Sequence, residues 1–184
     1  DPQGGRRRRA RPRRRRLTAA LVRPFRAGDE AGLLHVEHAA SALLNAQGPH
    51  TPAPLVSPGD FAAFLARHTV LVAEADGRPV GYVAGRDLGD LYWMAELGVD
   101  PAFGRRGIGR RLVAAICGEA KALFHRAIGL TTYRDVPFNA PFYAKCGFLT
   151  VPHQPGNATF EERLVAETPV GACPRDRVAM VKWL

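Results

Sequence analysis

One stretch limits this chain more than any other. The strand-forming run Tyr92 to Val99 passes through Asp100-Pro101-Ala102-Phe103-Gly104-Arg105-Arg106-Gly107-Ile108-Gly109-Arg110 directly into a helical pattern. Pro101 stops the strand. From Gly107 to Phe124, Ile108, Leu112, Ile116, Ala120 and Leu123 fall on one helix face, with Arg110, Arg111 and Lys121 off it. A strand feeding a helix start through glycines is suited to an anion. Without a Cβ at Gly104, Gly107 and Gly109, backbone N–H groups can approach a phosphate, and the positive end of the helix dipole favours its charge. Arg105, Arg106 and Arg110 add cationic donors that suit phosphate oxygens. The same residues also make an ordinary tight turn before a helix. Two nucleotide motifs do not fit. The Walker pattern needs a Gly-Lys-Ser/Thr run, and the dinucleotide pattern needs glycine where Leu112 stands and an acidic residue where the next strand ends in Thr131-Thr132-Tyr133.

The surrounding pattern predicts an α/β domain. Leu17 to Val22 reads as a first strand ended by Pro24, and Asp29 as the cap of a helix carrying Leu33, Leu34, Val36, Ala40, Leu43 and Leu44. Asn45 to Pro54 reads as a loop. Ser57-Pro58-Gly59-Asp60 starts a short helix ending near Arg67. Val70–Ala75, Val80–Arg86 and Tyr92–Val99 follow as an antiparallel meander, turned at Asp76-Gly77 and Gly89-Asp90. Ile128 to Tyr133 is a further strand. Asn139 caps a compact helix closed by Gly147. Phe148–Val151 and Val178–Trp183 are closing strands separated by a polar stretch of no clear pattern.

The net charge of +9 suggests nucleic acid until it is located. Residues 1–16 hold nine arginines and one aspartate, so the remainder is close to neutral. This segment has nothing to bury and is expected to be a disordered tail, with residues 17–184 as the domain. It could tether the protein to nucleic acid or anionic lipid by charge alone, or carry no role. A twin-arginine export signal does not fit, because Arg23 and Pro24 end the apolar run at once. No stretch nears the roughly 18 apolar residues of a membrane helix. Cys117, Cys146 and Cys173 are odd in number and widely spaced, which fits reduced thiols in a cytoplasm. Only His35 and His38 are close enough to share a helix face, and they lack partner ligands, so no metal is expected.

A second motif follows about 30 residues after the glycine turn. Asp135-Val136-Pro137-Phe138-Asn139-Ala140-Pro141-Phe142-Tyr143-Ala144-Lys145-Cys146-Gly147-Phe148 contains Asn-x-x-x-Tyr followed by Gly-Phe. With Gly104-x-x-Gly107-x-Gly109 after Val99-Asp100-Pro101, it resembles the GNAT superfamily of N-acetyltransferases over residues 17 to about 152. The family usually has Gln or Arg where Gly104 stands, which removes one side-chain contact from a site built mainly of backbone amides. The resemblance implies a mixed, largely antiparallel sheet of six to seven strands flanked by about four helices, and acetyl-CoA as acyl donor.

It also implies roles for individual residues. The backbone of Leu97, Gly98 and Val99 would pair with the pantetheine arm as an added strand would. The amide near Val99 would face the thioester oxygen. Gly104, Arg105, Arg106, Gly107, Ile108, Gly109 and Arg110 would hold the pyrophosphate, and Asn139 would bind the arm from its helix start. Tyr143, one turn on, would protonate the leaving thiolate. Asn139 could equally be only a cap, and Tyr143 only an aromatic core residue. Glu96 is the candidate base, directly or through water, since an amine must lose a proton before attack. Strand alternation puts Glu96 with Tyr92, Met94 and Gly98, opposite Leu97 and Val99. It could instead pair with a neighbour or select a cationic substrate. The expected reaction is direct acetyl transfer to a primary amine of a small molecule or peptide. A different acyl donor, a non-amine acceptor and an acyl-CoA sensor remain open, as does a homodimer. The acceptor would be chosen by the first two helices and the loop Asn45 to Val56, with Pro152 to Pro174 closing over it.

Overall fold

The computed structural model describes residues 20–47, 54–152, 158–170 and 172–184. The arginine tail 1–16, the start of the expected first strand and most of the loop before Pro54 lie outside them. Seven strands form one sheet in the order β1-β2-β3-β4-β5-β7-β6. They are β1 (Leu21–Pro24), β2 (Thr69–Ala75), β3 (Arg78–Asp87), β4 (Tyr92–Val99), β5 (Ala127–Tyr133), β6 (Leu149–Thr150) and β7 (Arg177–Trp183). Every neighbouring pair is antiparallel except β4 with β5. Among the described residues there are five α-helices: α1 (Glu30–Asn45), α2 (Pro58–Ala66), α3 (Ile108–Ala122), α4 (Ala140–Lys145) and α5 (Ala158–Ala166). The mixed, largely antiparallel sheet matches the expected class, with one helix more.

The first strand sits later than predicted and includes Pro24. As the sheet's edge strand it can carry a proline, which has no N–H to give a further neighbour. The meander is as expected. Asp76 and Gly77 take φ of 50° and 75°, the left-handed pair that a two-residue hairpin turn requires. Ser57 caps α2, its hydroxyl oxygen accepting the Asp60 N–H at 3.1 Å and its O–H donating to the Asp60 carboxylate at 2.6 Å.

Two cores flank the sheet. On one face α1 and α2 bury Leu33, Val36, Phe61 and Leu65 against Val70, Val72, Tyr82 and Ala84. On the other, Ile108, Leu112, Ile116 and Ala120 of α3 join Leu71, Val83, Met94, Tyr143 and Phe148. The predicted stripes are too long at their C-terminal ends. Leu43 and Leu123 are 37% and 53% exposed, because each lies past the last turn that meets the sheet. Helix α3 stops at Ala122, and Phe124 has φ 63°.

Asp29 stands at the N-cap of α1 but does not cap it with its side chain. Its carboxylate takes both Nη groups of Arg23, at 2.7 and 2.8 Å, and the Arg26 N–H at 2.8 Å. Arg23 also donates through Nε to Glu74 at 2.7 Å. The bidentate fork ties β1, β2 and the start of α1 together.

The stretch without a clear pattern contains α5, which buries no residue fully. It rests on the α1 face through Phe160, whose ring centroid is 6.0 Å from that of Trp93. Glu167, just past α5, accepts from Trp93 Nε1 at 2.8 Å and from the Thr131 hydroxyl. A helix held by so few apolar contacts leaves little periodicity in its sequence.

Candidate active site

The glycine turn forms before α3. Asp100 accepts the Ala102 N–H on its side chain at 2.8 Å, and Pro101–Phe103 make a short 3-10 turn. Phe103 is buried beneath the guanidinium groups of Arg78 and Arg106, 5.1 and 5.2 Å from its ring centroid. Arg105 and Gly107 take φ of 58° and 75°. Gly107 is the N-cap of α3 and accepts the first helical bond, from Arg111 N–H at 3.1 Å. The N–H groups of Arg105, Arg106, Gly107, Ile108, Gly109 and Arg110 meet no acceptor among the described residues. Such a row of unspent donors at the positive end of a helix suits a polyphosphate. Ile108 offers it only backbone, since its side chain enters the core. Gly104, Arg105, Arg106 and Arg110 are exposed beside it, with Arg106 turned back to the Ala102 carbonyl at 3.2 Å. Arg111, off the stripe as predicted, donates to the Ala20 carbonyl at 2.9 Å.

The sheet opens next to this turn. Strands β4 and β5 pair only at Tyr92↔Ile128 and Trp93↔Gly129 and then diverge. Asp100 N–H bonds to the Val80 carbonyl at 3.0 Å. Because bonded and non-bonded positions alternate along an antiparallel pair, Gly98 is bonded back to β3, while the N–H and C=O of Leu97 and Val99 face the gap. The gap ends against α3 and α4. A Cβ on Gly109 would lie 3.2 Å from Phe142 Cζ and 3.9 Å from Val99 Cγ2, so glycine lets the three elements close together.

Glu96 does not share a face with Tyr92 and Met94. The pairing of β3 with β4 jumps between Ala84↔Glu96 and Gly85↔Met94, leaving Ala95 as a bulge. A bulge inserts one residue and reverses the alternation beyond it. Tyr92 and Met94 lie in the α3 core, whereas a Cβ on Gly98 would strike Tyr82 and Val36 of the α1 core. Glu96 thus joins Gly98 on the α1 face, opposite Leu97 and Val99 as expected. Tyr143 lies in the α3-face core, against which Leu97 and Val99 pack, and the charge of Glu96 acts on its hydroxyl. The two candidate catalytic groups stand on opposite faces of the sheet.

Their electrostatics differ in a useful way. Glu96 is open to solvent within the gap, and its carboxylate accepts the Leu97 N–H at 3.1 Å. Crowding by protein, then the negative charge of Glu37, push its carboxyl up to about 8, against partial relief from Leu97 N–H and Arg177. A carboxyl with that affinity for protons is a competent base near neutral pH. Tyr143 is 9% exposed, and its hydroxyl has no hydrogen-bond partner among the described residues. Burial, then the charge of Glu96, raise its pKa well above that of a free phenol, so it holds its proton. Asn139 occupies the N-cap of α4 without a side-chain cap bond, and its backbone carbonyl accepts the Phe142 and Tyr143 N–H groups at 2.9 and 3.0 Å. Its carboxamide is therefore not committed to capping. Gly147, at φ 90°, ends the helix as predicted, with Phe148 N–H bonded to the Tyr143 carbonyl at 3.1 Å.

The comparisons with known proteins bear on this arrangement. Residues 66–149 match the family model described as Acetyltransferase (GNAT) domain. The chain has the GNAT fold. Its GNAT fold is shared with a GCN5-related N-acetyltransferase of Rhodopseudomonas palustris, 20% identical, with TM-score 0.69 over 91% of this chain and 98% of that one. The ribosomal-protein-S18-alanine N-acetyltransferase of Escherichia coli is 16% identical, with TM-score 0.64 over 89% and 93%. A GNAT family acetyltransferase of Elizabethkingia anophelis with acetyl-CoA bound is also 16% identical, with TM-score 0.60 over 90% and 99%. The matched GNAT segment runs from the end of α2 to the start of β6 and contains both the glycine turn and Tyr143.

Around the gap stand residues that the sequence pattern does not single out. Glu37 on α1 accepts the Tyr82 phenol at 2.6 Å and the Ser41 hydroxyl at 3.0 Å, close enough for its charge to reach Glu96. Its place beside Val36, at the border of the buried stripe, was the available signal. Glu167 and Arg177 come from the stretch without a clear pattern and carried no signal. No group of three or more His, Cys, Asp or Glu among the described residues could hold a metal ion, and no helix there is long and apolar enough to cross a membrane. His38 Nε2 lies 2.9 Å from the Val56 carbonyl, while the His35 side chain is 76% exposed.

Proposed function

We propose that this protein transfers an acetyl group from acetyl-CoA to a primary amine of a small molecule or peptide by direct attack, with residues 17–184 as the catalytic domain. The observation that carries this reading is the meeting of the open edge of β4 at Leu97–Val99 with the unspent donors at the start of α3, next to Glu96 and Tyr143. The backbone N–H groups from Arg105 to Arg110 hold the pyrophosphate. Leu97, Gly98 and Val99 hold the pantetheine arm along the gap, and Asn139 hydrogen-bonds it from the α4 side.

Glu96 removes a proton from the incoming ammonium, directly or through water, and frees the nitrogen lone pair. As the N–C bond forms, the Val99 amide meets the negative charge developing on the thioester oxygen. When the C–S bond breaks, Tyr143 gives its proton to the departing thiolate. The products are the acetamide and free CoA, and the net proton released returns to solvent. The three free cysteines support a cytoplasmic setting, where thiols persist.

The test is release of free thiol from acetyl-CoA across a panel of amino acids, polyamines, aminoglycosides and lysine peptides. Saturable release with one class supports the reading. Acetyl-CoA binding without release from any acceptor would favour a sensor and overturn it.

A further inference from the structure

A cavity of about 320 Å3 opens on the α1 face of the sheet, between α5 and the strands β6 and β7. Its volume is within the roughly 300–1,000 Å3 of small-molecule sites. Val151, Phe160, Leu164 and Ala179 contribute apolar wall, and Arg134 and Arg177 contribute two cations.

The two arginines are differently engaged. Arg134 spends Nε and Nη2 on the Arg175 and Arg177 carbonyls, which stiffens the entrance to β7. Among the described residues the Arg177 side chain makes one hydrogen bond, from Nη2 to the Thr131 hydroxyl at 2.8 Å, and its guanidinium lies 4.8 Å over the Tyr133 ring. Its Nε is buried without a partner, and among the described residues no carboxylate stands within ion-pair distance of it. A guanidinium in this state is a fork with most of its donors unspent at the wall of a cavity, and a carboxylate is the group that matches it.

The cavity adjoins the reactive gap. The charge of Arg177 is felt at both Glu96 and Tyr143. Thr131 joins Arg177 to Glu167, which holds Trp93 at the root of the gap. The gap side is lined by Glu37, Glu96 and Glu167, and the cavity side by Arg177. An occupant lying across both would present a cation to one and an anion to the other.

We infer that this cavity seats the acceptor, and that the acceptor is an amino acid with an apolar side chain. Its carboxylate lies on Arg177, its side chain against Phe160 and Leu164, and its ammonium is turned to Glu96. The inference rests on the acyl-transfer reading above and names its substrate class. A polyamine would set a second cation beside Arg177. A peptide amino terminus would leave that cation unpaired. Glu161, on the same wall and engaged in an interaction of its own, disfavours an acidic side chain.

Calorimetric titration of the full chain, saturated with CoA, separates these cases. L-leucine and L-phenylalanine are compared with their carboxamides and with spermidine. The free acids are expected to bind at least about 10-fold more tightly than the amides, the worth of a charge-assisted pair. Arg177→Gln should erase that difference with CoA affinity retained, and Arg177→Lys should restore part of it. Leu164→Trp, which fills the cavity without touching a charge, should weaken acid and amide alike. Equal binding of acid and amide, binding of neither, or a preference that survives Arg177→Gln overturns the inference. Thiol release from amines regardless of a carboxylate would leave acyl transfer standing and remove this substrate class. A carboxylate preference without thiol release would do the reverse.

Discussion

Gly98 lies against the ring of Tyr82, so close that a Cβ there would stand 2.8 Å from Cε1. Tyr82 is fully buried and hydrogen-bonded to Glu37, so it has nowhere to retreat. Gly98→Ala should destabilise the fold by about 1–3 kcal/mol, the usual cost of overpacking. Urea unfolding checks it. An unchanged midpoint would mean that the ring yields and that the β3–β4 contact is looser than described.

The proposed role of Glu96 as base sets a pH dependence of turnover. A base with a carboxyl pushed up to about 8 is mostly protonated at pH 6.5, so kcat/KM should rise with pH and level off above about 8. Removing the neighbouring negative charge with Glu37→Gln should move that rise to lower pH. Glu96→Gln should abolish the limb altogether. A limb that stays in place in Glu96→Gln assigns the base elsewhere.

Tyr143→Phe keeps the buried ring and deletes only the hydroxyl. The expected loss is about 10²–10⁴-fold in turnover, the range of general acid catalysis, with CoA affinity nearly unchanged. Normal turnover in this variant would leave Tyr143 as a packing residue.

Gly107 holds the turn open at φ 75°. A β-branched side chain resists this conformation by roughly 1–2 kcal/mol. Gly107→Val should therefore lower the melting temperature and weaken CoA binding at least about 10-fold, because the unspent N–H groups would no longer converge. Isothermal titration with CoA reads the second effect.

Breaking the Arg23–Asp29 fork should cost about 3–5 kcal/mol, as for other buried pairs that lose one partner. The Arg23 hydrogen bonds hold the Asp29 pKa below its ordinary 3.8, against the opposing effect of burial. Asp29 therefore binds fewer protons folded than unfolded in that range. Its contribution is complete above about pH 4 and is lost as pH falls through the folded value. Asp29→Ala should be destabilised at pH 7 and show less further loss on acidification than the parent.

Most of the frame was legible because it is written in short-range patterns. The meander declares itself through Asp76-Gly77 and alternating apolar residues, α3 through its stripe, and α4 through Gly147 at its end. The β4 bulge was not legible. Tyr92, Met94, Glu96 and Gly98 alternate without fault, and only the partner strand reveals that Ala95 is extra. That single residue moved Glu96 to the other face and into the company of Glu37. Asp29 stands at the expected N-cap, but its side chain goes to Arg23, which competes with the helix N-terminus it precedes. Helix α5 leaves no stripe because it is held by Phe160 and Arg163 against the Trp93 ring and by the hydrogen bonds of Glu167. The acidic lining of the gap comes from three distant segments, and no local window could have assembled it.

Among the described residues only two pairs, Tyr92↔Ile128 and Trp93↔Gly129, join β4 to β5, and Gly129 sits at that junction. A Cβ there would meet Trp93 Cζ3 at 2.8 Å, Phe160 Cε1 at 2.9 Å and Leu91 Cδ2 at 3.0 Å. The junction acts as a fulcrum, and the angle between its two arms sets how wide the jaws stand further along. One methyl group at position 129 would press on that angle, changing the aperture open to the proposed acyl donor without touching any residue proposed to meet it.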